Sequence, residues 1–167
     1  MVSFFGRDIG DHQRSSFKIM LTRFLAYFAR SKLPDASFDH PDLGSFDFVP
    51  EIGWGKSIDF DGHPIQIYLG SNGEIPNQSM LDCLRYWIDN WVKRRPGINE
   101  YIARKGRSWI PHDTPPEANE LFLNSIEILW PENPWTCMIY FVLREDDERR
   151  FHVTFNGYVP TGFAYDH

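Results

Sequence analysis

The chain has 167 residues, of which 42% are hydrophobic and 16% aromatic, and its formal net charge is −6. This length fits a single domain over residues 1–167 that folds without a metal or a disulfide, and the aromatic content argues against disorder. The negative charge argues against nucleic-acid binding through a global positive field.

The two cysteines and the N-terminus indicate a cytoplasmic protein without a membrane partner. Residues 1–13 lack the charged and apolar regions of a signal peptide. No apolar run approaches the ~18 residues of a membrane span. Cys83 and Cys137 fall in a predicted helix and a predicted strand among apolar neighbours, which is typical of buried free thiols in a reducing compartment. A disulfide between them is the alternative.

The first predicted helix covers residues 11–31, where apolar residues recur at helical spacing from Phe17 to Phe28. Pro34 ends this helix, because its ring cannot continue an α-turn. Residues 33–44 are rich in proline and aspartate and are predicted to form a loop.

A hairpin and a helix between residues 54 and 91 organise the chain. Apolar and polar residues alternate on both sides of Asp61-Gly62, a dipeptide that favours a hairpin turn. Apolar residues then recur at helical spacing from Met80. Pro96-Gly97 is predicted to stop this second long helix, and a short third helix covers 98–105.

The C-terminal half alternates between strands and connectors. Residues 135–143 are apolar on both faces, which favours the middle of a sheet covered on both sides. The other predictions are a proline-rich connector over 107–118, a turn of helix over 117–123, strands over 125–130 and 151–155, a solvated turn over 144–150 and a tail over 162–167.

Together these segments predict an α+β fold, in which a mostly antiparallel sheet of about five or six strands carries two long helices and one short helix. Strands joined by short turns pair antiparallel, and the segregated helices pack on the sheet.

Motifs that carry chemistry are missing from the sequence. There is no Gly-x-Ser-x-Gly elbow, no Cys-x-x-Cys pair, no histidine pair at i, i+4 and no glycine-rich phosphate loop. We therefore expect no catalytic residue, no metal and no cofactor. A metal site built from loops, with Asp39-His40 facing His112-Asp113, is the alternative.

Six cations lie between residues 93 and 107, which is unusual in an acidic chain. One interpretation is a site for an anion or an acidic partner. The other is that cations cap the C-terminal ends of two helices and keep them soluble. The candidate binding residues are Arg94, Arg95, Arg104, Arg107, Trp109 and His112.

The region from Trp54 to Lys105 resembles small uncharacterised bacterial α+β domains. The residues that carry the resemblance are W-G at 54–55, D-G at 61–62, I-Q-I-Y-L at 65–69, I-P-N-Q at 75–78, the L-x-x-L helix, and the later strands NSIEILW and RRFHVTF. Some such domains are thought to be immunity or accessory proteins of bacterial toxin systems. The resemblance favours a bacterial, cytoplasmic protein that is not obviously an enzyme.

The leading hypothesis is a non-enzymatic cytoplasmic domain that binds a protein partner or a second copy of itself, in an immunity-type or accessory role. Its basis is the acidic charge, the aromatic content, which is typical of interfaces, and the missing catalytic motifs. The alternative is a small enzyme or ligand-binding domain with a loop-built site near His63, His112 and the basic residues 93–107.

Overall fold

The structure is a computed structural model that describes residues 36–71, 75–109, 120–143 and 146–166. These residues form eight strands and one helix. Their bounds are β1 Ser37–His40, β2 Gly44–Val49, β3 Gly53–Phe60, β4 His63–Gly70, α1 Gln78–Trp109, β5 Leu121–Ile128, β6 Thr136–Leu143, β7 Asp146–Asn156 and β8 Val159–Asp166.

The eight strands form one sheet in which spatial order follows chain order, from β1 to β8. Strands joined by short connections pair antiparallel. The exception is the pair of β4 and β5, which is parallel, with Ile67 opposite Ile126. A parallel pair needs a long crossover, and α1 lies within the crossover between these two strands.

The predicted hairpin turn at Asp61-Gly62 is confirmed. Both residues have positive φ, 57° at Asp61 and 76° at Gly62. Two central residues with positive φ match the twist of the flanking strands. The turn sets the register in which Ile58 lies opposite Ile65 and Trp54 opposite Leu69.

The core lies between one face of the sheet and α1. Alternate residues of β4 are buried, as a strand with one face on a core requires. Asn77 caps the helix, since its Oδ1 accepts the backbone N–H of Met80 at 3.0 Å. The largest fully buried side chains are Trp87, Trp91, Phe46, Phe141, Phe151, Phe155, Ile65, Ile67, Leu69, Met80, Leu84 and Leu121.

The predicted α+β class with two long helices and one short helix is wrong. The structure is mostly β, with one eight-stranded sheet and one helix in the ranges that it describes. The predicted helix over 11–31 lies outside those ranges, and the prediction of one domain over residues 1–167 stays a prediction. No helix among the described residues combines the length and the apolar composition needed to cross a membrane.

The prediction that Pro96-Gly97 stops the helix is also wrong, since α1 continues through both residues to Trp109. Proline removes the bond to the carbonyl four residues earlier, which belongs to Val92. Val92 is 84% exposed, and Pro96 is exposed too, so water can hydrate that carbonyl. Ile98 beyond the proline is buried, and this packing holds the chain in the helix.

Several strands lie in segments for which the sequence predicts other structure. β1 lies in the predicted loop 33–44, β5 begins at Leu121 within the predicted helical turn, β7 begins at Asp146 in the predicted solvated turn, and β8 includes most of the predicted tail. In each of these segments, pairing with a neighbouring strand decides the conformation. The segment 135–143 does form an interior strand, β6, but the parallel pair β4–β5 occupies the middle of the sheet.

Candidate functional site

An aromatic cluster around Arg94 lies where α1 meets the turn between β7 and β8. Tyr86 and Arg94 are two helical turns apart on the same i, i+4 ridge of the helix. Tyr158 belongs to the β7–β8 turn, and Trp135 directly precedes β6. Contacts between these four side chains define the Arg94 cluster.

The turn that carries Tyr158 is fixed to the segment that carries Trp135. The backbone N–H of Gly157 donates a hydrogen bond to the carbonyl of Trp135 at 2.9 Å. Gly157 has a φ of 61°, a conformation that glycine adopts without a steric penalty. These two segments therefore present both aromatic side chains in a defined arrangement.

The aromatic rings of the cluster are in mutual contact. The centroids of Tyr86 and Tyr158 are 4.1 Å apart, and those of Trp135 and Tyr158 are 5.5 Å apart with the rings at 83°. Offset and edge-to-face contacts at such distances stabilise aromatic pairs beyond their burial. Tyr86 also contacts the buried indole of Trp87 at 5.6 Å, so the cluster is continuous with the core.

The Arg94 guanidinium lies against two of these rings. Its Cζ is 5.5 Å from the centroid of Tyr86 and 5.3 Å from that of Tyr158, both within cation–π range. Arg94 Nε and Tyr86 Oη are buried, and neither has a hydrogen-bond partner among the described residues. Burial without such a partner is costly for a polar group.

The neighbouring cation Arg95 lies on another side of α1, because successive helical residues are rotated by about 100°. Arg95 Nη1 forms an ion pair with Asp61 at 3.2 Å, and Nη2 donates to the carbonyl of Leu121 at 3.2 Å. Its guanidinium is also 6.0 Å from the ring of Trp91. Arg95 therefore ties the helix to the β3–β4 turn and to the start of β5.

The alternative hypothesis of a loop-built site includes His63 and the basic residues 93–107. Arg95 and His63 do line one small cleft. Phe60, Asp61, Trp91, Phe122 and Leu123 complete its lining, and its volume is about 50 Å³. Ligand pockets usually have volumes of about 300–1,000 Å³. Arg95 is already engaged by Asp61, and His63 packs edge-on against Phe122 at 5.1 Å. The cleft that the described residues line is too small for a metabolite.

Of the six candidate binding residues, three have described side chains, and these three lie in separate surroundings. Arg94 and Arg95 face different surroundings, and Arg104 is exposed next to the ring of Tyr101 at 5.6 Å. Arg107 and Trp109 belong to the last turn of α1, but their side chains lie outside what the structure describes, and so does His112.

The sequence analysis does not identify the three aromatic residues of the Arg94 cluster. The aromatic content points to an interface in general, and Trp135 is the first residue of the predicted strand 135–143. Nothing local in the sequence links Tyr86 to Tyr158, since 72 residues separate them and only the pairing order of the sheet brings them together.

The thiols follow the prediction of buried free cysteines. Cys83 and Cys137 are free and fully buried between α1 and β6. Burial raises the pKa of Cys137 far above its ordinary value, and the neighbouring Cys83 thiol adds to the rise. A thiol in this state is a poor nucleophile, since the thiolate is the reactive form.

No metal site is found among the described residues, where no three histidine, cysteine or acidic side chains are grouped to hold an ion. The loop-built alternative includes His112 and Asp113, which lie outside the described ranges. Comparisons of the chain with protein-family models, with curated proteins and with solved structures found no match.

Proposed function

We propose that this protein is a non-enzymatic binding domain and that the Arg94 cluster is its contact surface for a protein partner. The observation that carries the proposal is the exposure of aromatic and apolar groups there. Tyr158 is 45% exposed, Val159 is 63% exposed, and Trp135 is half-buried beside them. Tryptophan, tyrosine and arginine dominate the energetically important positions of protein interfaces.

The arrangement of the cluster suits a protein surface better than a small molecule. Its groups project from a helix and two short turns, and they form a surface patch instead of a deep pocket. Aromatic side chains lose little conformational entropy when they become part of an interface. The hydrogen bond between Gly157 and Trp135 fixes the two turns, which lowers the cost of ordering them on binding.

The resemblance to bacterial immunity and accessory domains suggests the biological setting. In that setting the partner is a toxin, and the complex blocks the toxin's activity. The acidic charge of the chain, −6 overall, favours encounter with a basic protein at long range. A second copy of the chain is the other occupant that the proposal has to be tested against.

The test compares two exposed apolar positions. Tyr158→Ala removes a ring from the cluster, whereas Ile75→Ala truncates a residue that is 62% exposed and precedes α1. The wild-type chain is immobilised and exposed to a lysate of its native host. The captured protein is identified and purified, and its affinity for each variant is measured by calorimetry.

We expect Tyr158→Ala to weaken binding at least about tenfold, as truncation of an important interface residue does, and Ile75→Ala to leave it within about twofold. Equal affinities for both variants overturn the proposal. Light scattering over a range of concentrations addresses self-association. A wild-type dimer that becomes monomeric in Tyr158→Ala identifies the occupant as a second copy.

A further inference from the structure

We infer that the Arg94 guanidinium is the receptor for a single carboxylate on the contact surface of the partner. This inference rests on the proposed function and specifies which partner chemistry the Arg94 cluster selects. It is carried by the charge state of Arg94, by the position of its nitrogens and by the rings that hold it.

Arg94 is a half-buried cation whose charge has no counter-ion within the described ranges. The ion pairs found there join Arg85 to Asp42 and Arg95 to Asp61. Cations that lose part of their hydration are normally paired. The chain has 23 acidic residues against 17 lysines and arginines, so carboxylates are abundant, yet none of those described pairs with Arg94.

The two tyrosine rings orient the guanidinium. Contacts at 5.5 Å and 5.3 Å with Tyr86 and Tyr158 restrict its plane, and a planar group held in this way loses less entropy when it forms hydrogen bonds. Arg94 Nε is buried. The two terminal nitrogens are therefore the donors left for a ligand, and they fit the two oxygens of one carboxylate end-on.

The charges around the cluster favour a carboxylate over a phosphate. A phosphate dianion usually meets several cations or a ring of backbone N–H groups, whereas Arg94 is the one cation that these rings hold among the described side chains. The net charge of −6 repels a dianion more strongly than a single carboxylate.

The binding experiment uses the purified partner and three variants. Arg94→Met removes the charge and keeps an apolar side chain, and Arg94→Lys keeps the charge without the planar fork. Arg85→Met is the matched control, because Arg85 is on the same helix and already paired with Asp42. We expect both Arg94 variants to weaken binding more than about tenfold, and Arg85→Met to change it less than about twofold.

Two outcomes separate this inference from the proposed function. If Tyr158→Ala loses the partner while Arg94→Met keeps it, the binding surface stands and the carboxylate inference is overturned. If neither variant changes the affinity, both fail.

A direct probe is sodium acetate, compared with sodium chloride at equal ionic strength, with sodium phosphate as a third arm. The Nε–H resonance of Arg94, assigned by its loss in Arg94→Lys, reports on the guanidinium in ¹H–¹⁵N spectra. We expect a saturable shift with acetate at Arg94 and only a weak, non-saturating one at Arg85. An Arg94 resonance that responds alike to acetate and chloride, or that saturates with phosphate alone, overturns the inference.

Discussion

Replacing Pro96 with alanine should stabilise the protein, because α1 runs through this residue without ending. In a helix interior proline is about 3 kcal/mol less favourable than alanine. Alanine also restores an N–H that donates to the exposed carbonyl of Val92. The unfolded chain gains freedom when proline is removed, which returns about 0.4–1 kcal/mol. The expected net gain is therefore about 2 kcal/mol in the free energy of unfolding.

The gain is measured by urea unfolding, followed by tryptophan fluorescence, and by thermal unfolding. About 2 kcal/mol corresponds to a rise of roughly 4–8 °C in Tm for a chain of this size. Gly97→Ala is the matched control at the adjacent position, where an added Cβ meets no atom within 4 Å. It should stabilise by at most about 1 kcal/mol.

The stabilisation depends on the continuity of the helix across Pro96. The buried side chains of Trp91 and Ile98 flank the proline, so both halves of α1 are held against the sheet. If the chain instead bent away at this point, alanine would gain no helical hydrogen bond. A Pro96→Ala variant that is no more stable than the wild type, while Gly97→Ala behaves as expected, would refute the reasoning.

Three further predictions concern Gly70, the two cysteines and Lys56. Gly70→Ala places a Cβ against the backbone of Leu129, which cannot move without opening the parallel pair. We therefore expect the free energy of unfolding, measured in urea, to fall by roughly 1–3 kcal/mol or more. Unchanged stability would contradict this packing. Cys83 and Cys137 should not react with a disulfide reagent such as DTNB in the native protein and should both react in urea; a fast native reaction would show that a thiol is accessible. Burial lowers the pKa of Lys56 below its ordinary 10.5, so the folded state releases this proton at a lower pH than the unfolded chain. The free energy of unfolding should therefore rise with pH between the lowered pKa and 10.5. Lys56→Met should remove that rise in urea unfolding measured over a series of pH values, and an identical pH profile would exclude Lys56 as its source.

The local parts of the fold were predictable where a pattern and a turn residue agree. The Asp61-Gly62 turn shows in the sequence because positive φ at both residues favours this dipeptide. The strand at β6 shows because nearly every residue in it is apolar. The C-terminal end of the helix over Gln78–Trp109 is predicted wrongly, at Pro96-Gly97. The preference of proline against helix interiors describes an isolated helix, and it does not include the burial of Ile98 against the sheet.

The strands that the sequence missed depend on their neighbours. β1 has four residues, and its pairing with β2, with Phe38 opposite Phe46, provides the contacts that a short polar segment lacks by itself. β7 begins among charged residues that resemble a turn. In both cases the conformation is decided by hydrogen bonds to an adjacent strand, which no local pattern reveals.

The candidate site was predictable only in part, for the same reason. The sequence indicates Arg94 as a candidate together with Arg95, Arg104 and Arg107, and Arg95 is tied to Asp61. What distinguishes the two arginines is their surroundings across the chain. Tyr158 reaches Arg94 because the turn between β7 and β8 lies beside the helix, and that arrangement is a property of the whole sheet.

The single parallel pairing of β4 with β5 has a consequence for the order of folding. The other neighbouring strands of the described sheet are joined by short connections, whereas β4 and β5 meet only after residues 71–120 have closed a loop. Closing it costs about 3 kcal/mol more than a two-residue turn, on the logarithmic dependence of chain entropy on loop length.

The strands β1–β4 and β5–β8 therefore form two meanders that can assemble early, and we expect their junction to close last. Contacts absent from the transition state affect mainly the unfolding rate. Ile67→Val and Ile126→Val, which thin the junction from both sides, should speed unfolding in stopped-flow experiments and leave the folding rate almost unchanged. The junction would then govern how long the folded protein persists and have little influence on how fast it forms.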